Sequence, residues 1–169
     1  MPATSVAVYR PTRAEMSKVM SIEALVRLVG EKLIPATMNE GQAMVIGFDS
    51  ASIDEDGDLD FPASDVHKEK DVYDLLESAE TAEIVSLYKY IAVLVGGWAA
   101  PLGEDNKHAD EELKPSEHPQ RRRVKLCIVA DPYNVGSLLR FSDNEEFIYD
   151  DGQAKGALAD AVRNLFARS

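Results

Sequence analysis

The chain has one cysteine, Cys127, and one tryptophan, Trp98, in 169 residues. A single cysteine excludes an intramolecular disulfide and a cysteine-rich zinc site. Cys127 lies in the apolar run 124–130, which predicts a buried side chain, and its neighbours offer no base to activate a thiol. Trp98 is likewise expected in the core rather than against a cofactor. The sequence predicts no cofactor.

Long apolar runs are also missing. The longest, Ile91–Leu102, is interrupted by glycine and proline and is shorter than the roughly 20 residues of a membrane-spanning helix. Residues 1–18 lack the basic start and apolar stretch of a secretory signal. We therefore expect a cytoplasmic protein without membrane contact. A content of 45% hydrophobic and 28% charged residues predicts one globular domain over residues 1–169.

Motifs that carry chemistry are absent from the sequence. It has no nucleophile elbow, phosphate-binding glycine loop, paired-histidine zinc helix or dinucleotide fingerprint. The three histidines, His67, His108 and His118, lie in polar segments without a metal-ligand spacing, and we expect exposed imidazoles. No catalytic residue and no metal ligand is predicted, which favours a binding protein over an enzyme.

Basic residues are scarce in one stretch of this acidic chain, whose net charge is −12. Asp49–Glu80 holds twelve acidic residues against two lysines. Such a concentration is typical of a solvated loop or of a face that meets a basic partner. Residues 49–66 are therefore predicted to form an exposed acidic loop. The carboxylates predicted to bind a partner are Asp54, Glu55, Asp56, Asp58, Asp60 and Asp65. The net charge also repels phosphates, so we expect no direct binding to nucleic acid.

The centre of this loop resembles a calcium-binding loop. With Gly57 at the sixth position, carboxylates occupy positions three, five and seven. The first position is Ser52 and the twelfth is Ala63, however, so the ligands at both ends of the motif are missing. We interpret the segment as a solvated acidic turn, and expect 51–65 to be poorly ordered and without a bound ion.

A compact basic group contrasts with the acidic loop. This arginine island comprises His118, Arg121, Arg122 and Arg123, which lead into a predicted strand. It could bind an external anion such as a phosphate or carboxylate, or pair with the acidic segment within the chain or in a dimer. Strand alternation predicts that Arg121 and Arg123 point to one side and Arg122 to the other.

Apolar periodicity and turn residues predict the elements of the fold. Helices are expected after Thr12 as far as Ile34, over Glu69–Tyr88 as one helix or as two joined near Ser78, and from Gly156 to the C-terminal region. Strands are expected at Met44–Phe48, Arg123–Ala130, Val135–Phe141 and Phe147–Tyr149. Residues 90–98 fit a strand or a helix, and β-branched residues with a Gly pair favour the strand. Residues 1–12 are expected to form a mobile arm or edge strand, and 103–120 an exposed loop.

This order of elements predicts an α+β fold. We expect a two-layer sandwich in which a mainly antiparallel sheet, with a C-terminal meander, packs against helices that include a C-terminal helix. The second face of such a sheet can meet water. Its exposed half would comprise Arg121, Arg123, Lys125, Ser137 and Arg140.

Three strings carry a resemblance: GWAAPLGED at 97–105, SEHPQRRRVKL at 116–126 and GSLLRF at 136–141. Together they resemble a pattern in small proteins of high-GC Gram-positive bacteria or their phages. That family has no assigned activity, so the resemblance implies no functional residue.

Three hypotheses of function follow. The first is a non-enzymatic binding or regulatory protein that presents its acidic surface to a basic protein partner, as an inhibitor, an immunity protein or a nucleic-acid mimic does. The second is a small enzyme acting on an anionic substrate held by the Arg121–Arg123 island. The third is a structural homo-oligomer.

Overall fold

In the computed structural model, the described residues are 21–99, 117, 119–143, 145–149 and 157–168. The predicted arm at 1–12 and most of the predicted loop at 103–120 lie outside them. The helices are α1 (Ile22–Thr37), α2 (Val72–Glu77), α3 (Ala79–Leu87) and α4 (Ala157–Arg168). The strands are β1 (Ala43–Phe48), β2 (Ser52–Ile53), β3 (Leu59–Asp60), β4 (Asp65–Glu69), β5 (Tyr90–Ala99), β6 (Arg122–Ala130), β7 (Val135–Phe141) and β8 (Phe147–Tyr149).

Six strands form one antiparallel sheet in the order β4-β1-β5-β6-β7-β8, and β2 and β3 form a separate two-stranded ribbon. Helices pack on this sheet, and α4 is the C-terminal helix. The predicted α+β sandwich with a mainly antiparallel sheet and a C-terminal meander is confirmed. No helix of the described residues combines the length and apolarity needed to cross a membrane.

Strand β5 lies at the centre of the sheet. Residues 90–98, where strand and helix both fitted the sequence, form a strand that pairs with β6 along its whole length. Its first half, rich in β-branched residues, also pairs with β1 from Phe48↔Tyr90 to Met44↔Leu94. Because β1 begins at Ala43, the last five residues of β5 extend beyond it.

Helices cover both faces of the sheet. One face packs against α2, α3 and α4 through Leu75, Ile84, Val162 and other apolar side chains. The opposite face packs against α1 through Leu25, Val26 and Val29. This second face was expected to meet water, but the apolar stripe of α1 needs a surface to bury and covers it.

Because α1 covers this face, most of the polar residues predicted to be exposed there are not exposed. Lys125 is only 1% exposed. Arg140 is half-buried, and Ser137 points to the other face because it pairs with Ile128. Only Arg121 and Arg123 of the predicted set are exposed.

Local capping sets the helix boundaries. Ser21 is extended (φ −70°, ψ 164°), and its side chain accepts a hydrogen bond from Ala24 N, so α1 begins at Ile22. The helix start predicted after Thr12 lies outside the described residues. Of the two alternatives for 69–88, the structure has two helices: Ser78 ends α2, and its hydroxyl accepts from Thr81 N at the start of α3.

Candidate functional site

The strand register places opposite charges at the two ends of the sheet. One end, which we call the acidic end, holds Asp49 after β1, Asp65 at the start of β4 and Asp131 after β6. The other, which we call the basic end, holds Lys68, Arg123 and Lys125. The segment 49–80 crosses the sheet through β4, so Lys68 and Glu69 lie at the basic end, and the acidic residues that cluster at the acidic end are those of 49–65.

The acidic end carries a hairpin, residues 52–60, formed by β2, β3 and the turn between them. Asp54 Oδ1 accepts hydrogen bonds from the backbone N–H of Asp56 and Asp58, both at 2.9 Å. Asp54 N donates to Asp58 O at 2.8 Å, and Gly57 takes the left-handed φ of +82° that the turn requires. The expectation of a poorly ordered loop is therefore wrong, because Asp54 and Gly57 supply specific turn chemistry.

The hairpin presents its carboxylates to solvent. Asp54, Glu55, Asp56, Asp58, Asp60 and Asp65 are all exposed. Across the described ranges, no Lys or Arg forms an ion pair with any of them. Asp65 accepts a hydrogen bond from Tyr88 Oη at 2.7 Å, and this bond is the largest cause of a raised Tyr88 pKa. The arrangement concentrates negative charge on an ordered support.

An apolar groove, which we call the aromatic groove, lies at the same end. Its volume is about 440 Å³, and its walls include Val85, Tyr88, Tyr133 and Phe166. Tyr133, in the β6–β7 turn, is 89% exposed. The sequence analysis missed this groove, although an aromatic residue at the turn Asp131–Asn134 was a visible signal for it.

The arginine island is split between two sides of β6, as strand alternation predicts. Arg121 and Arg123 lie over the Trp98 indole, with Cζ 5.0 and 5.8 Å from the ring centroid. Arg122 lies over Phe141 and donates from Nε to Asp143 Oδ2 at 3.2 Å. That hydrogen bond is the main cause of a lowered Asp143 pKa.

At the basic end, Arg122 and Trp98 both differ in part from what the sequence predicts. Arg122 forms the internal ion pair that we expected, but its partner, Asp143, lies outside the acidic segment. Trp98 is 42% exposed instead of buried, because it lies on the part of β5 that extends beyond β1. His118 lies outside the described residues.

A polar cluster of Glu40, Lys68 and Lys125, which no local sequence pattern indicates, lies beside the island; the Glu40 and Lys68 side chains are each 38% exposed, and Lys125 is buried. Glu40 Oε1 accepts from Lys68 Nζ at 2.8 Å, and this bond is the largest cause of a lowered Glu40 pKa. Lys125 lies on the same sheet face, where burial is the main cause of its lowered pKa and Glu40 opposes that effect. The sequence does not predict this cluster, because Glu40, Lys68 and Lys125 come from three separate segments of the chain that only the fold brings together.

His67 and Cys127 are the histidine and the cysteine among the described residues. Within the described part of the chain, no three His, Cys, Asp or Glu residues are grouped to hold a metal ion. His67 is half-buried rather than exposed and lies 3.1 Å from Glu69. Cys127 is buried as expected, and burial raises its pKa to about 12.

No protein-family model, curated protein or solved structure matches this chain. The resemblance to small proteins of Gram-positive bacteria or their phages stays a prediction. Functional inference therefore depends on the geometry of the two ends.

Proposed function

We propose that this chain is a non-enzymatic cytoplasmic binding protein whose acidic end docks on a basic protein partner. The observation that carries the proposal is the acidic hairpin, whose exposed carboxylates have no Lys or Arg partner among the described residues. Like charges that are close together on a surface repel one another, and a cation or a basic partner that neutralises them relieves this repulsion. The hairpin is thus suited to meet lysine and arginine side chains.

The aromatic groove adds an apolar component to the same end. Its wall residue Tyr88 is bonded to Asp65, and the next residue, Lys89, donates its backbone N–H to Asp49 Oδ1 at 2.8 Å. Interfaces combine an apolar centre, often containing tyrosine, with a polar rim. Tyr133 would fill the centre, and the acidic hairpin would form part of the rim.

Charge complementarity would set the speed and the salt sensitivity of association. Opposite charges steer two proteins together, and added salt screens that attraction. An inhibitor, an immunity protein or a nucleic-acid mimic works in this way when its target is basic. The proposal therefore predicts a partner that binds fast at low salt and more weakly at high salt.

Two variants of equal charge test the proposal. The hairpin variant carries Glu55→Gln, Asp58→Asn and Asp60→Asn, and retains Asp54, which anchors the turn. The helix variant carries Asp74→Asn, Glu77→Gln and Glu83→Gln, at exposed positions of α2 and α3. Each raises the net charge by three. Immobilised chains are compared for proteins recovered from a lysate of the source cells at low and high salt.

We expect a salt-sensitive protein that the wild type and the helix variant recover equally and the hairpin variant recovers poorly. Equal recovery by all three chains would contradict the proposal. Equal loss in both variants would show that only net charge matters and would also contradict it.

A further inference from the structure

The basic end contains a groove, which we call the basic groove, at the opposite end of the sheet from the acidic hairpin. We propose that this groove binds a small molecule through an oxyanion, either a phosphate or a carboxylate group. The inference is independent of the proposed partner surface, because it depends on other residues and a different ligand.

The basic groove exists because two neighbouring strands end at different levels. Strand β1 begins at Ala43, whereas β5 continues to Ala99, so the β1 side of Gly96, Gly97 and Trp98 has no strand partner in the described structure. The resulting cavity has a volume of about 280 Å³. A Cβ built on Gly97 would meet nothing within 4 Å. The glycine backbone thus lines space that no other described residue fills within 4 Å of that Cβ position, which leaves room for a small ligand.

Cationic side chains surround this space. Lys70 and Arg123 line it, and Lys68 and Lys125 lie close enough to influence the charge of Glu40, the carboxylate in its wall. Two cations, Lys70 and Arg123, therefore line the groove with one carboxylate, Glu40, whose Oε1 already accepts from Lys68, in a chain whose net charge is −12. Neither Lys70 nor Arg123 forms an ion pair with a described residue. The local field favours an anion.

Lys125 does not line the groove, but it lies close to the groove wall and adds positive charge there. Its Cα is paired with that of Gly96 in the groove wall, and its side chain is 99% buried, being 1% exposed. No described residue forms a hydrogen bond or an ion pair with its ammonium group. Lys125 Nζ is not one of the fully buried atoms without a hydrogen bond, but burial still disfavours its charged form. Glu40 compensates only in part, because its Oε1 already bonds Lys68 and its buried Oε2 has no hydrogen-bond partner.

The chemistry of the groove fits an oxyanion better than a neutral ligand. Arginine presents two parallel donors to the oxygens of a phosphate or carboxylate, and lysine adds a compact charge. Backbone N–H groups at an unpaired strand edge can donate to the same oxygens. A volume of about 280 Å³ is near the lower limit of known ligand pockets, which indicates a small molecule.

Trp98 makes the proposal directly measurable. It is the only tryptophan of the chain and lines the groove, so intrinsic fluorescence reports on this site. Inorganic phosphate, citrate and acetate are each titrated into the full chain, with sodium chloride adjusted to hold the ionic strength constant. We expect a saturable change in emission with phosphate or citrate; the better of the two identifies the preferred oxyanion.

The matched variants are Arg123→Gln and Arg122→Gln. The two residues are adjacent in β6, and each variant lacks one positive charge. The Arg122 side chain, however, points away from the groove to Asp143. We expect Arg123→Gln to weaken the affinity roughly tenfold, as loss of a charge-assisted hydrogen bond does. Arg122→Gln should change the affinity by less than about twofold, because the Arg122 side chain lies on the other side of β6, is exposed to screening solvent and is already paired with Asp143.

Three outcomes would overturn the proposal. They are a linear response to every anion, an equal effect of sodium chloride alone, and equal weakening in both variants. Because both arginines are exposed, both variants are expected to fold, which far-ultraviolet circular dichroism verifies. Lys70→Gln then provides a second test, because Lys70 also lines the groove and is exposed, and we expect binding roughly tenfold weaker in a folded chain.

Discussion

The contact between α1 and the sheet depends on Gly30, and replacing it by alanine should destabilise the protein. An alanine Cβ at this position would lie 2.5 Å from Leu138 Cδ2 and 3.4 Å from Cys127 Cβ. Leu138 and Cys127 are 0% exposed, so neither has free space to move into. Alanine favours a helix over glycine by about 1 kcal/mol. Overpacking a dense core costs about 1–3 kcal/mol, so we expect a net loss of roughly 1 kcal/mol.

Urea unfolding followed by circular dichroism measures this change. The matched control is Gly41→Ala, because a Cβ at Gly41 meets nothing within 4 Å and its φ lies outside the left-handed region. We expect the control to be neutral or stabilised by a few tenths of a kcal/mol. If Gly30→Ala were as stable as the wild type, or more so, the close packing of α1 on β6 and β7 would be refuted.

Three further predictions concern single groups. Cys127, whose pKa is raised to about 12 by burial, should not react with a disulfide reagent at neutral pH until the chain is unfolded; rapid reaction of the native protein would contradict its burial. Burial lowers the pKa of Lys125 in the folded state, so the unfolded state binds more protons at alkaline pH. The free energy of unfolding of the wild type should therefore rise relative to that of Lys125→Met as the pH approaches 10.5. A difference in urea unfolding that stays constant from neutral to alkaline pH would refute this. Calcium should bind the acidic hairpin only weakly, and a saturable micromolar site in calorimetric titration would show that the hairpin supplies ligands absent from the motif.

Local sequence signals predicted most elements of the fold. Ile91, Val93 and Val95 marked β5 as a strand, and Ser78 marked the break between α2 and α3, because these preferences act within a few residues. The turn Asp131–Asn134 predicted the β6–β7 hairpin for the same reason. Its Asp131 Oδ1 accepts from the backbone N–H groups of Tyr133 and Asn134.

Side-chain environments that depend on distant segments were not predictable. Lys125 has the sequence neighbours of an exposed residue, and only the position of α1 on its sheet face makes it buried. Trp98 is exposed because β1 begins only at Ala43 and does not extend alongside this part of β5, which the residues around Trp98 do not indicate. The basic groove combines Glu40, Lys70 and Arg123 from three parts of the chain. Charge segregation along the sequence did indicate the acidic end, since its carboxylates are close in sequence.

The central claim, that the acidic hairpin contacts a basic partner, is tested most directly by mapping carboxylate accessibility in the complex. The free chain and the chain bound to its salt-sensitive partner are labelled with a carbodiimide and an amine, and labelling at each residue is measured by mass spectrometry. We predict strong protection of Glu55, Asp58 and Asp60 and unchanged labelling of Glu77 and Glu83. Unchanged labelling of the hairpin, with protection elsewhere on the chain, would contradict the account.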